Sequence, residues 1–116
     1  MAVRVNRSAH EHAERLIKAG HRVLDGRGDW SQHQPSPAEE NQFIRDHGFR
    51  EYARWHLGVN DEKDEGTKER YEFPYGDFRD VHRCAVLAAE SRAGQYRHHD
   101  IELVAAHLLG ILEQER

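Results

Sequence analysis

Phe73-Pro74-Tyr75-Gly76-Asp77-Phe78-Arg79-Asp80-Val81-His82-Arg83-Cys84 is the segment on which the architecture turns. Pro74 disfavours the helical region for Phe73, so an upstream helix ends here, and the Phe73–Pro74 bond is a candidate for the cis form. Asp77 is a good helix cap, because its carboxylate can accept hydrogen bonds from the first free N–H groups. Read this way, a helix runs from Phe78 to Ala93 with Gly94 as its stop. Its apolar face carries Phe78, Val81, Ala85, Val86 and Ala88 or Ala89.

Downstream, Ile101, Val104, Ala105, Leu108, Leu109, Ile111 and Leu112 recur at helical spacing. They predict a helix from His99 to Glu113, paired with the preceding one through Gly94-Gln95-Tyr96 as a hairpin at the centre of the core. The stripe is broad enough to need cover, either from the rest of the chain or from a second copy.

Upstream, Ser36-Pro37-Ala38-Glu39 carries the chemistry of a capping box with proline at the first helical position. It predicts a helix from Pro37 to His47 ended by Gly48, followed by a short helix from Phe49 to His56 ended by Gly58. Asn6 or Ser8 caps a first helix over Ser8–Ala19, with Ala9, Ala13, Leu16 and Ile17 on one face and Gly20 at the stop. His21–Asp25 is too short to assign, and Gly26-Arg27-Gly28-Asp29 is a turn beside Trp30. Residues 59–68 read as a mobile loop, Glu69–Glu72 as a short helical turn, and residues 1–7 as a disordered lead-in. The sum is an all-α domain of about five helices.

Composition limits the function classes. The 116 residues fit one domain, and 37% hydrophobic against 33% charged residues leaves a lean core. Seventeen basic and 21 acidic residues leave a net charge of −4, without the basic surplus of a dedicated duplex-DNA binder. A single cysteine, Cys84, rules out an intramolecular disulfide. No apolar run reaches membrane-span length, and the first residues lack a signal core. A soluble, cytoplasmic protein is the expectation, with no membrane partner.

Ten histidines raise the question of a metal. His10 with Glu14, and His98 with Glu102, are four apart and share a helical face. The His-Glu-x-x-His and Glu-x-x-His units are missing, and one cysteine cannot build a zinc finger. The expectation is no metal and no cofactor, these two pairs being the candidates held in reserve. Cys84 reads as a small buried apolar residue, because His82 two places before it would not share its helical face.

Tyr71, Tyr75, Asp77, His82 and Arg83 form a ligand or anion candidate at a helix start, although Asp77 would itself occupy the free N–H groups there. Arg79, Arg83, Arg92 and Arg97 form a nucleic-acid candidate, diluted by Asp80 and Glu90. Gly26-Arg27-Gly28 lacks the remaining features of a phosphate loop.

The elements Tyr52-Ala53-Arg54-Trp55-His56-Leu57-Gly58, Arg70–Phe78, Val81-His82-Arg83 and Ala88–Ala93 resemble a family of small uncharacterised bacterial and haloarchaeal proteins. The resemblance spans roughly residues 28 to 112, with Phe-Pro-Tyr-Gly-Asp-Phe as its distinctive element. It brings no catalytic residue and no activity. With no catalytic constellation or cofactor fingerprint, the expected function is a non-enzymatic helical module that binds a macromolecule, through a protein partner or self-association. The alternatives are a nucleic-acid accessory protein using the arginine face, or a ligand- or metal-binding protein with its site near the Tyr71–Arg83 turn.

Overall fold

The computed structural model describes residues 3–114. It corrects the all-α expectation: helices share the chain with two small sheets. In chain order the elements are β1 (Val3–Val5), α1 (Arg7–Lys18), β2 (Arg22–Val23), α2 (Trp30–His33), α3 (Pro37–Ala53), β3 (His56–Asn60), a 3-10 turn (Lys68–Arg70), β4 (Tyr71–Pro74), β5 (Val81–His82), α4 (Arg83–Gln95) and α5 (His99–Gln114). The stretch set apart as a disordered lead-in thus contains β1.

β3 is the middle strand of an antiparallel sheet ordered β1-β3-β4, with Val5 opposite Gly58 and Glu72 opposite Gly58 on the other side. His56, Leu57, Gly58 and Val59 are all buried. A short strand covered on both faces shows no alternation of polar and apolar residues, so the residues leading into it read equally well as the end of a helix. Gly58 is required by close packing: a Cβ there would come within 2.8 Å of the Phe73 ring and 3.1 Å of Ile101.

The expected helical turn over Glu69–Glu72 is replaced by the 3-10 turn and by β4. No peptide bond among the described residues is cis, so the Phe73–Pro74 bond is trans.

The local signals around the other helices hold. Asn6 Oδ1 accepts from Ala9 N–H, and the Asn6 amide donates to the carbonyls of Ala53 and His56, tying α1 to the end of α3. Ser36 and Glu39 form both halves of the capping box. Gly48, with φ of 84°, kinks α3 where the sequence placed a break. The second piece ends at Ala53, with Arg54 as its cap, and the chain enters β3 at His56.

α4 and α5 pack together as expected, and the core is completed by the sheet and by α1. Ile101, Ala105, Leu108 and Leu112 have no exposed surface. The stripe of α5 is therefore covered by the rest of the chain. Leu103, 71% exposed, lies off that stripe. No helix among the described residues is long and apolar enough to cross a membrane.

Asp77 provides the most instructive correction. Its Oδ1 accepts from the N–H groups of Arg79 and Asp80, as a cap would, yet the chain then enters β5 and not a helix. An aspartate closing a turn and an aspartate capping a helix bond the same two following N–H positions, so they look alike in sequence. Val81 N–H instead donates to the His21 carbonyl, and β5 runs parallel to β2 with Arg22 opposite Val81 and Val23 opposite His82. α4 starts only at Arg83.

Candidate metal centre

The parallel β2–β5 register has a direct consequence. If Val23 lies opposite His82, then Asp25, two residues on, lies opposite Cys84 in the first turn of α4. Asp25 Oδ1 accepts from Cys84 N–H at 2.7 Å. A residue 59 positions away thus caps α4, whose own preceding residue, His82, makes no side-chain cap bond. The carboxylate sits where the helix presents free N–H groups and the positive end of its dipole.

The other oxygen, Oδ2, is the meeting point of three further groups. His82 Nδ1 and His33 Nδ1 each approach it at 2.7 Å, and Cys84 Sγ at 3.1 Å. Cys84 Sγ is 3.9 Å from His33 Nδ1. Asp25, His33, His82 and Cys84 each offer a donor atom, and these four lie within 4.8 Å of one another. The turn at Gly26–Asp29, closed by Asp29 Oδ2 on Gly26 N–H, and the single helical turn of α2 bring His33 back over Asp25.

His82 has a carboxylate on each ring nitrogen. Its Nε2 donates to Asp77 Oδ2 at 2.9 Å, and Asp77 is itself fixed by the Arg79 and Asp80 N–H groups. Arg83 donates to the Asp25 carbonyl and to Glu113, bracing the loop against α5.

The electrostatics follow from this geometry. Burial alone would push the Asp25 carboxyl up, but hydrogen bonds from His82, from the Cys84 N–H and thiol and from His33 outweigh it and hold it far below the usual carboxylate range. Burial would lower the pKa of His82, but hydrogen bonds to Asp25 and Asp77 and their charges outweigh it and raise it. Burial, the hydrogen bond to Asp25 and that carboxylate's charge push the Cys84 thiol up to about 12. The thiol is thus no free nucleophile at neutral pH, since the thiolate is the reactive form.

Asp25 Oδ2 and the three groups gathered on it make a set of four donor atoms of three chemical types, a set that suits a tetrahedral ion. Bonds of about 2.0–2.3 Å to nitrogen, oxygen and sulfur imply donor separations of roughly 3.3–3.5 Å. The three hydrogen-bonded contacts to Asp25 Oδ2, at 2.7–3.1 Å, are shorter than this and the 3.9 Å between Cys84 Sγ and His33 Nδ1 is longer, so a bound ion spreads the donors away from Oδ2. Asp77 stands where an outer carboxylate orients a ligating histidine.

Beside this cluster lies a cleft of about 980 Å³ that reaches Cys84 and is bordered by Arg27, Trp30, Lys63, Tyr71 and Arg92.

Of the residues expected at the Tyr71–Arg83 turn, Asp77, His82 and Arg83 do come together, around Asp25. Tyr75 does not. It is fully buried, its hydroxyl donating to the Arg54 carbonyl and accepting from His12 Nδ1. Tyr71 donates to the Glu65 carbonyl and stacks near Phe49. The arginine face is not one surface: Arg79 lies in the turn before β5, Arg83 is engaged by Asp25 and Glu113, Arg92 lies over the Tyr96 ring, and Arg97 follows α4.

The His98–Glu102 pair does not form either. Glu102 takes His99 instead, while His98 packs edge-on against Phe73. His10 and Glu14 are 3.1 Å apart, and His107 joins them.

Nothing in the sequence singles out Asp25 or His33, and Cys84 there reads as a small apolar residue. Cys84 is indeed buried, but its thiol is on Asp25. The separations of 8, 57 and 59 residues from Asp25 to its partners carry no motif. One signal existed: His82-Arg83-Cys84, if extended at its start, sets histidine and cysteine to one side, as period-two geometry requires. The helix assigned to this segment hid it. Comparison with protein-family models, with curated proteins and with solved structures returns no match to this chain.

Proposed function

We propose that this chain is a non-enzymatic zinc-binding module, its ion held by Asp25, His33, His82 and Cys84. One observation carries the reading: four donor atoms from two stretches of the chain, 25–33 and 82–84, converge within 4.8 Å, and the other nitrogen of His82 is held by Asp77. Thiolate, two imidazoles and a carboxylate favour zinc over magnesium or calcium, which take oxygen donors. Binding displaces the Cys84 thiol proton and the Nδ1 protons of the two histidines, so that each donor presents a lone pair.

Four protein ligands close the coordination sphere, the pattern of a structural ion and not of a catalytic one with a vacant position. The ion pins the 25–33 loop to β5 and the start of α4, and so fixes Arg27 and Trp30 on one wall of the cleft.

The test is cobalt substitution of the chelator-stripped chain. The expected spectrum combines the visible bands of tetrahedral cobalt with a thiolate-to-metal charge-transfer band in the near ultraviolet. That band disappears in Cys84→Ser. A cobalt spectrum of six-coordinate form with no thiolate band, or no ion retained through Cys84, overturns the reading.

A further inference from the structure

We infer that His10, Glu14 and His107 hold a second zinc-type ion in a separate site across the seam between α1 and α5. The argument starts from helical spacing. His10 and Glu14 are four apart in α1 and meet on one face, beside the Ala9–Ala13–Ile17 stripe that faces the core. α5 packs against α1, and His107 reaches across from it. His10 Nε2 is 3.1 Å from Glu14 Oε1, and His107 Nε2 is 3.7 Å from the same oxygen. The three donor atoms lie within 4.8 Å of one another.

A second observation marks the group as more than a surface ion pair. His10 Nε2 is shielded from solvent and has no hydrogen-bond partner. Glu14 Oε1 is near enough but not in line. Leaving such a nitrogen unsatisfied is costly, and an ion between the three donors removes the deficit. The two imidazoles meet edge to face, with centroids 5.4 Å apart and an interplanar angle of 86°. Both Nε2 atoms lie within 3.7 Å of the same carboxylate oxygen. The other Glu14 oxygen faces Lys18 Nζ at 3.9 Å, leaving Oε1 for the ion.

Two imidazoles and one carboxylate select a first-row transition ion over magnesium or calcium. Three protein ligands leave a position for water, unlike the closed set around Asp25. Without a thiolate, and with His107 54% exposed, this ion is the more exchangeable of the two. Its occupancy staples α1 to α5, and stability rises with free zinc as for any ligand that binds the folded state.

The experiment is zinc titration of the chelator-stripped full chain by calorimetry, with the histidine ring nitrogens followed by NMR. Two ions per chain are expected in the wild type, with the His10 and His107 Nε2 resonances shifting together at the weaker step. His107→Gln and Glu14→Gln each weaken that step at least tenfold and leave the Cys84-dependent cobalt band intact. Cys84→Ser leaves the His10 and His107 shifts in place, so failure of this site and failure of the Asp25 site are separable. The proposal is overturned if the His10 and His107 resonances do not move with zinc, or if neither glutamine variant changes any binding step.

Discussion

His56 and His82 are equally hidden, at 3% and 6% exposure, and each ends or begins a strand, yet the fold treats them in opposite ways. His56, at the start of β3, has one polar partner, the Tyr52 carbonyl, to which its Nδ1 donates at 2.9 Å. Its other neighbours include the rings of Tyr52 and Tyr71. Burial pulls its pKa down to about 4, so it is a neutral core residue. His82 has a carboxylate on each ring nitrogen, and these raise its pKa against the opposing effect of burial. Burial does not separate a packing histidine from a site histidine. Convergent charged partners do, because the cost of burying an imidazolium is met only by paired carboxylates.

Removing the hub of the His82 region should do the most damage. Asp25→Ala leaves His82 Nδ1 and the Cys84 N–H without their acceptor, and is expected to cost about 3–5 kcal/mol in the metal-free chain. Urea unfolding would measure this, and a loss under 1 kcal/mol would reduce Asp25 to an incidental contact. The same variant should lose the thiolate-bound ion.

The His56 region should answer to acid. Its pKa lies below the ordinary 6.5, so the unfolded chain takes a proton that the folded chain refuses. The resulting stability is present above pH 6.5 and is lost as pH falls toward 4, by about 3 kcal/mol. Comparing wild type with His56→Phe across this range isolates the effect. Identical pH slopes in the two proteins would remove His56 as its source.

Gly58→Ala sharpens the contrast from the packing side. Its Cβ meets the Phe73 ring and Ile101, so the variant should lose about 1–3 kcal/mol by overpacking while keeping its metal content. Thermal unfolding and elemental analysis on one preparation would separate the two outcomes. The smallest effect is expected at Glu14→Gln, within about 1 kcal/mol on the metal-free chain, because its partners there are partly solvated. A larger loss in chelator would make Glu14 a structural residue independent of any ion.

Much of the helical part was legible. Asn6, the Ser36–Glu39 box, Gly48 and the stripe of α5 act through neighbours one to four places away, and such contacts are encoded in spacing. The sheets were not. β1, β2, β4 and β5 have two to four residues each, too few to display alternation, and β3 is covered on both faces. The same limit governs the sites. His10 and Glu14 could be paired from helical spacing, whereas His107 joins them only because α5 packs on α1.

Local order along the chain was therefore enough to set where helices begin, bend and stop, since a cap or a kink needs only the residues beside it. Whether Asp77 opened a helix or closed a turn, and which groups would surround Asp25, depended on β2 lying parallel to β5. That pairing joins segments nearly sixty residues apart, and its register follows from how the whole core is buried, not from any pattern within either segment.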